Sequence, residues 1–218
     1  MKLVLFDCDG TLIDSAAIIH ASMERAFADE GHPAPQLSHT KSIIGLTLDV
    51  AISRLLKREI DAVVHRMVRS YKHHSLRMRD AGDCEEPFYE GIWELLQTLS
   101  LRDDILLGVV TGKSRRGLDN LLEKHGLART MIATRTADEC PSKPHPAMVL
   151  ECCSDTGMDP AQTIVIGDAI YDIEMARNAG ASAIGVSWGY ADTRLLHEAG
   201  AHHVVDAPAE LLPIIGVQ

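Results

Sequence analysis

The sequence predicts an α/β protein: a Rossmann-like, doubly wound parallel sheet with a small all-helical domain inserted after the first strand. After residue 86, short apolar runs alternate with amphipathic segments of about ten residues, as parallel strands covered by helices do. Between residues 15 and 82 the periodicity is helical, with no strand-like run. We therefore expect two domains: a core of residues 1–14 and 83–218, and a helical domain of residues 15–82.

Each predicted strand is a short, continuous apolar run, because the strands of a parallel sheet are buried on both faces. The first is KLVLF at residues 2–6. Several of the predicted helices close with glycine, which accepts the left-handed conformation at a helix C-terminus. In chain order after residue 86 we predict a helix at 90–99, a strand at 105–111, a helix at 116–126, a strand at 131–136, a helix at 146–157, a strand at 163–168, a helix at 173–180, a strand at 181–186, a helix at 193–200 and a strand at 202–206.

Composition and charge limit the possible classes of protein. The 218 residues, 46% of them hydrophobic, suffice for one full-sized core and a smaller second domain. The longest apolar runs are far shorter than a membrane span, so we expect a cytoplasmic protein with no membrane partner. The net charge of -10 argues against nucleic acid as a partner, because it would repel a phosphate backbone. Five cysteines without a C-x-x-C spacing indicate reduced thiols.

One segment departs from this acidic balance. Residues 54–79 carry eight lysine and arginine side chains against only two carboxylates. Either these side chains form a solvated helix face, or some of them attract an anionic substrate. The sequence leaves both interpretations open.

Polar residues stand where the strand-like runs end or in the loops that follow. In an open parallel sheet, ligands bind beyond the carboxyl ends of the strands, so residues at several strand ends converge on one site. Two like charges at the end of the first strand are unfavourable unless a cation lies between them. The candidate site residues are Asp7, Asp9, Thr111, Gly112, Lys143, Asp168 and Asp172.

The acids of this set suit a magnesium ion. Asp7, Asp9 and Asp168 offer the hard oxygen ligands that Mg²⁺ prefers. Asp172 lies four residues after Asp168, where it either helps to hold a metal or caps a helix.

The other candidates suit an anion. Thr111 and Gly112 offer a hydroxyl and a backbone N–H to an oxyanion near a helix N-terminus. Lys143 lies in PSKPHP, a loop that its prolines stiffen, and could neutralise a phosphate; an exposed lysine in a turn is the alternative. An attacking carboxylate, a metal, a lysine and a hydroxyl donor together describe phosphoryl transfer through an aspartyl-phosphate.

Four segments, DCDGTLIDS, VVTGKS, SKPHP and VIGDAIYDIEMARNAG, resemble the four ordered motifs of the haloacid dehalogenase superfamily. The resemblance covers essentially the whole chain, including a helical cap inserted after the first strand. Carried over by position, it implies a nucleophile and Mg²⁺ ligand at Asp7, a general acid and base at Asp9 with its main-chain carbonyl on the metal, phosphoryl binding at Thr111 and Gly112, charge stabilisation at Lys143, and further metal ligands at Asp168 and Asp172.

In such enzymes the cap closes over the site and one of its loops contacts the leaving group. The resemblance places Gly45, Leu46 and Thr47 over the pocket, with Lys41 or Lys72 as further candidates. A core or surface role remains the alternative for each of these residues.

The motifs also narrow the activity. Dehalogenases and phosphonate-cleaving members lack the second acid of D-x-D, so Asp9 argues against both. The segments TGKSRRG and IIGLTLD look most like phosphoglycolate-phosphatase-type proteins. We expect a Mg²⁺-dependent phosphatase, monomeric or homodimeric, that acts on a small anionic phosphorylated metabolite, with 2-phosphoglycolate as the first candidate.

Other activities stay open. Within the superfamily they are a nucleotidase, a pyrophosphatase and a sugar-phosphate phosphatase or mutase, although mutases usually carry histidine where this chain has Ile19. A phospho-accepting receiver domain also gathers acids, a threonine and a lysine on a parallel sheet. Receivers have no helical insertion at this point, so the D-x-D-G-T-L-x-D run at residues 7–14 favours the enzyme.

Overall fold

The computed structural model describes residues 1–82 and 85–217. Its centre is a six-stranded sheet in the order β3-β2-β1-β4-β5-β6, and all neighbouring strands are parallel. The predicted doubly wound α/β fold is thereby confirmed. The strands are Lys2–Phe6 (β1), Ile105–Val110 (β2), Met131–Arg135 (β3), Thr163–Gly167 (β4), Ser182–Val186 (β5) and His203–Val205 (β6).

Helices cover both faces of the sheet, and other helices fill the segment between β1 and β2. The predicted closing glycines Gly126, Gly157, Gly180 and Gly200 all have positive φ. The helices are Ala16–Asp29 (α1), Leu37–Lys41 (α2), Leu48–Leu56 (α3), Ala62–Ala81 (α4), Ile92–Ser100 (α5), Arg115–Lys124 (α6), Ala147–Thr156 (α7), Ile170–Ala179 (α8), Thr193–Glu198 (α9) and Leu211–Ile215 (α10).

The first strand divides its side chains between two apolar clusters. Val4 and Phe6 pack into the cluster on one face of the sheet, whereas Leu3 and Leu5 pack into the other, as the two-residue period of a strand requires. Cys8 continues the first set and is fully buried in the same cluster. Its side chain therefore leaves the strand on the face opposite to that of Asp7.

Helices α1, α3 and α4 share an apolar cluster, which Tyr171 of α8 also joins. Met23 and Phe27 of α1 pack with Ile52 of α3 and with Val64 and Met67 of α4. This packing joins the inserted helices to one another and to α8 of the sheet domain. The domain division at residues 14/15 and 82/83 stays a prediction, and residues 83, 84 and 218 lie outside the described residues.

Two segments connect these helices to the sheet, and they pair with each other. Asp14 donates its backbone N–H to the Pro87 carbonyl at 2.9 Å, and Tyr89 donates to the Leu12 carbonyl at 3.0 Å. We refer to α1 to α4 with their loops as the cap. Both connections to the cap therefore leave the sheet domain side by side.

Helix α8 begins earlier than the sequence pattern predicts, at Ile170 instead of residue 173. The carboxylate of Asp172 accepts the backbone N–H of Ala169 at 3.1 Å and so satisfies a donor at the start of the helix. Among the described residues, no helix combines the length and the apolar character that crossing a membrane requires.

Candidate active site

The site lies at the carboxyl ends of β1, β2 and β4. Phe6, the last residue of β1, pairs with Val109 of β2 and Ile166 of β4. The strand order reverses between β1 and β4, and such a switch point opens a crevice beyond the strand ends. Because of this register, the residues that follow β1, β2 and β4 lie close together in the crevice.

Four predicted residues come together in this crevice. Carboxylate oxygens of Asp7, Asp168 and Asp172 lie within 4.8 Å of one another. The ammonium of Lys143 donates to Asp7 Oδ1 and to Asp172 Oδ1, at 2.6 Å in each case. All four side chains are buried, and that of Lys143 is 0% exposed.

Neighbouring groups hold two of the acids in position. Asp168 accepts the Thr11 hydroxyl at 3.0 Å and the Tyr190 backbone N–H at 2.9 Å. The second oxygen of Asp172 takes the Ala169 N–H described above. Each carboxylate therefore presents a defined oxygen to the cluster.

Gly10, Gly167 and Gly189 make room for these carboxylates. Gly10 has a φ of 93°, and a Cβ there would lie 2.3 Å from Asp168 Oδ2. A Cβ on Gly167 would lie 2.3 Å from the Cβ of Asp172. Because side chains at any of these positions would displace an acid, the glycine of D-x-D-G has a steric function in this chain.

The charge balance of the cluster fits a divalent cation. One buried lysine faces three carboxylates, and Asp7 Oδ2 is buried without a hydrogen-bond partner among the described residues. Burial raises the pKa of Asp7 although Lys143 lowers it, and burial together with Asp172 raises the pKa of Asp168 to about 7. A cation bound by these oxygens would remove both penalties.

We expect the melting temperature to depend on pH and on Mg²⁺ because of these buried acids. The pKa of Asp168 in the folded protein exceeds the value of about 3.9 that is typical of an unfolded chain. Its contribution to the free energy of unfolding is therefore complete below pH ~4 and is lost as the pH rises toward 7. In EDTA the Tm should fall between about pH 5 and about pH 7.5, less steeply in an Asp168→Asn variant. Mg²⁺ should raise the Tm more at the higher pH, where the acids are ionised. Differential scanning calorimetry at both pH values checks this, and an equal gain at both would contradict it.

Asp9 lies outside the three-acid cluster and has different partners. The Ser15 hydroxyl donates to its Oδ1, and the ammonium of Lys113 lies 2.7 Å from the same oxygen. Lys113 also donates to Glu86 Oε1 at 3.3 Å. The sequence assigned no role to Lys113 or Glu86. The one signal available was the position of Lys113 close after β2, and Glu86 had none.

The predicted phosphate-binding residues lie under the cap. Thr111 is fully buried, and its hydroxyl accepts the Lys113 backbone N–H at 3.2 Å. Gly112 lies so close to the cap that a Cβ there would be 2.6 Å from the Leu46 carbonyl oxygen and 2.9 Å from that of Gly45. A side chain at residue 112 would therefore hold the cap loop away from the strand ends.

The loop Gly45–Thr47 contacts the sheet domain at a second point as well. Thr47 donates its backbone N–H to the Ser142 hydroxyl at 2.9 Å, directly beside Lys143. The structure thus brings the three predicted cap residues to the strand ends, in contact with the segments that carry Gly112 and Lys143.

A cavity of about 580 Å³ lies between the cap and the sheet domain. Asp9, Gly112 and Lys113 form part of its wall, and Lys72 of α4 lies at its cap side. Lys41, the other predicted candidate, lines a separate cavity of about 480 Å³ that reaches Asp168. The cap contributes further residues to the larger cavity, among them Ile19, Met23, Leu48, His65, Val68, Leu76 and Arg79.

Curated relatives of the chain are phosphatases by name. It is 31% identical to the N-acetylmuramic acid 6-phosphate phosphatase of Pseudomonas putida, over 99% of this chain and 96% of the relative. It is 32% identical to the phosphoglycolate phosphatase of Agrobacterium fabrum, over 98% and 91%. A crystal structure of a hydrolase from Pseudomonas syringae is 26% identical, covers 99% of this chain and 98% of its own, and has a TM-score of 0.86.

The fold is of the α/β class with an acidic cluster at the strand ends, and the comparisons specify the hydrolase family. A model of the haloacid dehalogenase-like hydrolases matches residues 4–186, and the chain belongs to this family. The family resemblance of the four motifs is thereby confirmed, and so is the prediction of an enzyme of the phosphatase class.

Proposed function

We propose that the protein is a Mg²⁺-dependent phosphatase that moves the phosphoryl group of a small anionic metabolite first to Asp7 and then to water. The observation that carries the proposal is the buried Asp7 itself. Its Oδ1 is held by Lys143, and its Oδ2 has no hydrogen-bond partner among the described residues. A carboxylate oriented in this way, beside two further acids, is suited to nucleophilic attack on phosphorus once a metal offsets the charge.

The reaction has two steps. Asp7 forms a bond to phosphorus while the bond to the leaving oxygen breaks, and Asp9 gives that oxygen a proton. Asp9 then removes a proton from water, whose oxygen attacks the aspartyl-phosphate, releases inorganic phosphate and regenerates Asp7. Because water removes the phosphoryl group, the enzyme is unmodified after each turnover. A receiver domain instead keeps the phosphoryl group on its aspartate.

Charge stabilisation comes from fixed groups. Burial lowers the pKa of Lys143, but Asp172 and Asp7 raise it by more, so that the pKa is above its usual value. The ammonium therefore stays charged beside the phosphoryl group. Thr111 and Gly112 would donate to the phosphoryl oxygens from the end of β2. Mg²⁺, held by Asp7, Asp168 and Asp172, would supply Lewis-acid stabilisation of the negative charge.

We propose 2-phosphoglycolate as the first candidate substrate. The motif pattern around TGKSRRG and IIGLTLD supports it, and so does the name of the Agrobacterium relative. A phosphorylated sugar or sugar acid is the second candidate, because the cavity of about 580 Å³ exceeds what a two-carbon acid needs. The substrate named for the Pseudomonas putida relative is of that larger kind.

Phosphate release from a panel of monoesters tests the proposal. The panel contains 2-phosphoglycolate, glucose 6-phosphate, N-acetylmuramic acid 6-phosphate and a nucleoside monophosphate, with pyrophosphate added, each assayed with Mg²⁺ and with EDTA. We expect kcat/KM for one ester to be at least tenfold above that for the others. In EDTA we expect this kcat/KM to fall by at least about 10³-fold. A stable phosphoprotein without turnover would instead support the receiver function, and activity that survives EDTA would exclude the metal.

A further inference from the structure

Lys113 is a buried lysine that the proposed reaction does not use. Its side chain is only 8% exposed and lies between two carboxylates, 2.7 Å from Asp9 Oδ1 and 3.3 Å from Glu86 Oε1. Burial lowers the pKa of Lys113, but Asp9, Cys8 and Glu86 raise it to a higher value than in water. The side chain is therefore a permanent cation in contact with Asp9.

Glu86 is in turn held from the cap. Arg79, in the last turn of α4, donates to both oxygens of Glu86, at 2.8 Å each. Burial raises the pKa of Glu86, yet Arg79 and Lys113 together bring it down to about 2. Four charges thus alternate in sign from Asp9 through Lys113 and Glu86 to Arg79, and this alternation fixes the position of each.

The contacts of Asp9 restrict its carboxylate to one orientation. Ser15 and Lys113 both use Oδ1, so neither of them occupies Oδ2. Two contacts on one oxygen fix the rotation of the carboxylate and leave proton transfer to the other. A general acid is effective only while its proton stays within hydrogen-bond reach of the leaving oxygen.

We propose that Lys113 is a positioning residue for Asp9 and that Glu86 holds Lys113 in place. The inference rests on the proposed function, in which Asp9 protonates the leaving oxygen. Lys113 acts through Asp9 and not on the reacting atoms. Without Lys113, the carboxylates of Asp9 and Glu86 would face each other with no cation between them, and repulsion would turn Asp9 away.

The leaving group separates a positioning role from a structural one. An alkyl oxygen needs a proton as its bond to phosphorus breaks, whereas p-nitrophenolate leaves without one. We expect Lys113→Met to lower kcat/KM by about 10²-fold for the alkyl ester of the panel that wild type hydrolyses best. For p-nitrophenyl phosphate we expect kcat/KM to change by less than about threefold. This parameter reports only the steps up to the first irreversible one, the phosphorylation of Asp7, and in that step p-nitrophenolate needs no proton.

Further variants complete the experiment. Lys113→Arg keeps the charge and should recover part of the loss. Lys124→Met changes an exposed lysine at the end of the following helix, α6, and should match wild type. Glu86→Gln should produce the same selective loss at about tenfold, with the exposed neighbour variant Glu85→Gln as its control. Glu86→Gln also serves as the test if Lys113→Met does not fold, as judged by its thermal denaturation.

The outcomes are distinct. A loss that is confined to the alkyl ester and appears in kcat supports the positioning role of Lys113. A loss that appears only in KM indicates direct contact between Lys113 and the substrate and overturns that role. An equal loss for both esters, or no loss for either, overturns it. A wild-type protein that hydrolyses neither ester contradicts the proposed function itself, before any variant is compared.

Discussion

Replacing Asp7 by asparagine should abolish phosphate release and leave the metal-free protein at least as stable as wild type. An amide is a poor nucleophile toward phosphorus, so we expect turnover to fall by about 10⁴-fold or more. The folded protein loses one of three buried carboxylates that share a single lysine. Because burial raises the pKa of Asp7 in spite of Lys143, ionised Asp7 opposes folding at neutral pH, and its removal should not lower the Tm.

Three measurements check this expectation. Phosphate release is compared with that of wild type and of Asp103→Asn, a change at an exposed aspartate far along the chain. Thermal denaturation in EDTA at pH 7 should give a Tm within about 3 °C of wild type or above it. The gain in Tm on adding Mg²⁺ should shrink, because one ligand oxygen is lost. A variant that keeps wild-type turnover would contradict the role of Asp7, and one that unfolds would contradict the charge balance.

The sequence predicts the sheet and the location of the site for the same physical reason. A parallel strand is buried on both faces, so β1, β2 and β4 appear as continuous apolar runs. Once the strands are located, their carboxyl ends must meet at one edge of the sheet. The meeting of Asp7 and Asp168 therefore follows from chain position, whereas the inclusion of Asp172 and the separate position of the Asp9 side chain do not.

What the sequence could not predict depends on distant segments packing together. The pair of Lys113 with Asp9 joins the ends of two strands, and Glu86 enters it from the segment that leaves the cap. No local pattern records such a partner, because the same lysine in a solvated turn has the same neighbours in sequence. The contact of Gly112 with Leu46 is invisible for a similar reason, since it depends on where the cap lies.

The early start of α8 is a smaller case of the same kind. Periodicity of apolar residues predicted residue 173, yet the helix begins at Ile170. The side chain of Asp172 supplies the missing partner for the Ala169 N–H while it also belongs to the acid cluster. The sequence offered the helix cap and the metal site as alternatives for Asp172, whereas the structure shows its two oxygens in both places.

Replacing Lys143 by methionine should destabilise the protein as well as inactivate it, in contrast to Asp7→Asn. Lys143 is 0% exposed and makes two hydrogen bonds of 2.6 Å to Asp7 and Asp172. Removal of one partner from a buried ion pair leaves uncompensated charge and costs about 3–5 kcal/mol. For a chain of this length we expect the Tm in EDTA at pH 7 to fall by about 10 °C.

The pH dependence of that loss identifies its cause. Lys143 lowers the pKa of Asp7, so the variant raises it further above the unfolded value. A carboxyl whose pKa is raised by folding stabilises the protein below its unfolded pKa and loses that contribution as the pH rises through the folded pKa. The deficit relative to wild type should therefore be largest near pH 7 and smaller near pH 5, whereas a packing defect would be the same at both. Thermal denaturation at both pH values, with Lys124→Met as the matched control, decides between charge and packing as the reason that this lysine is buried.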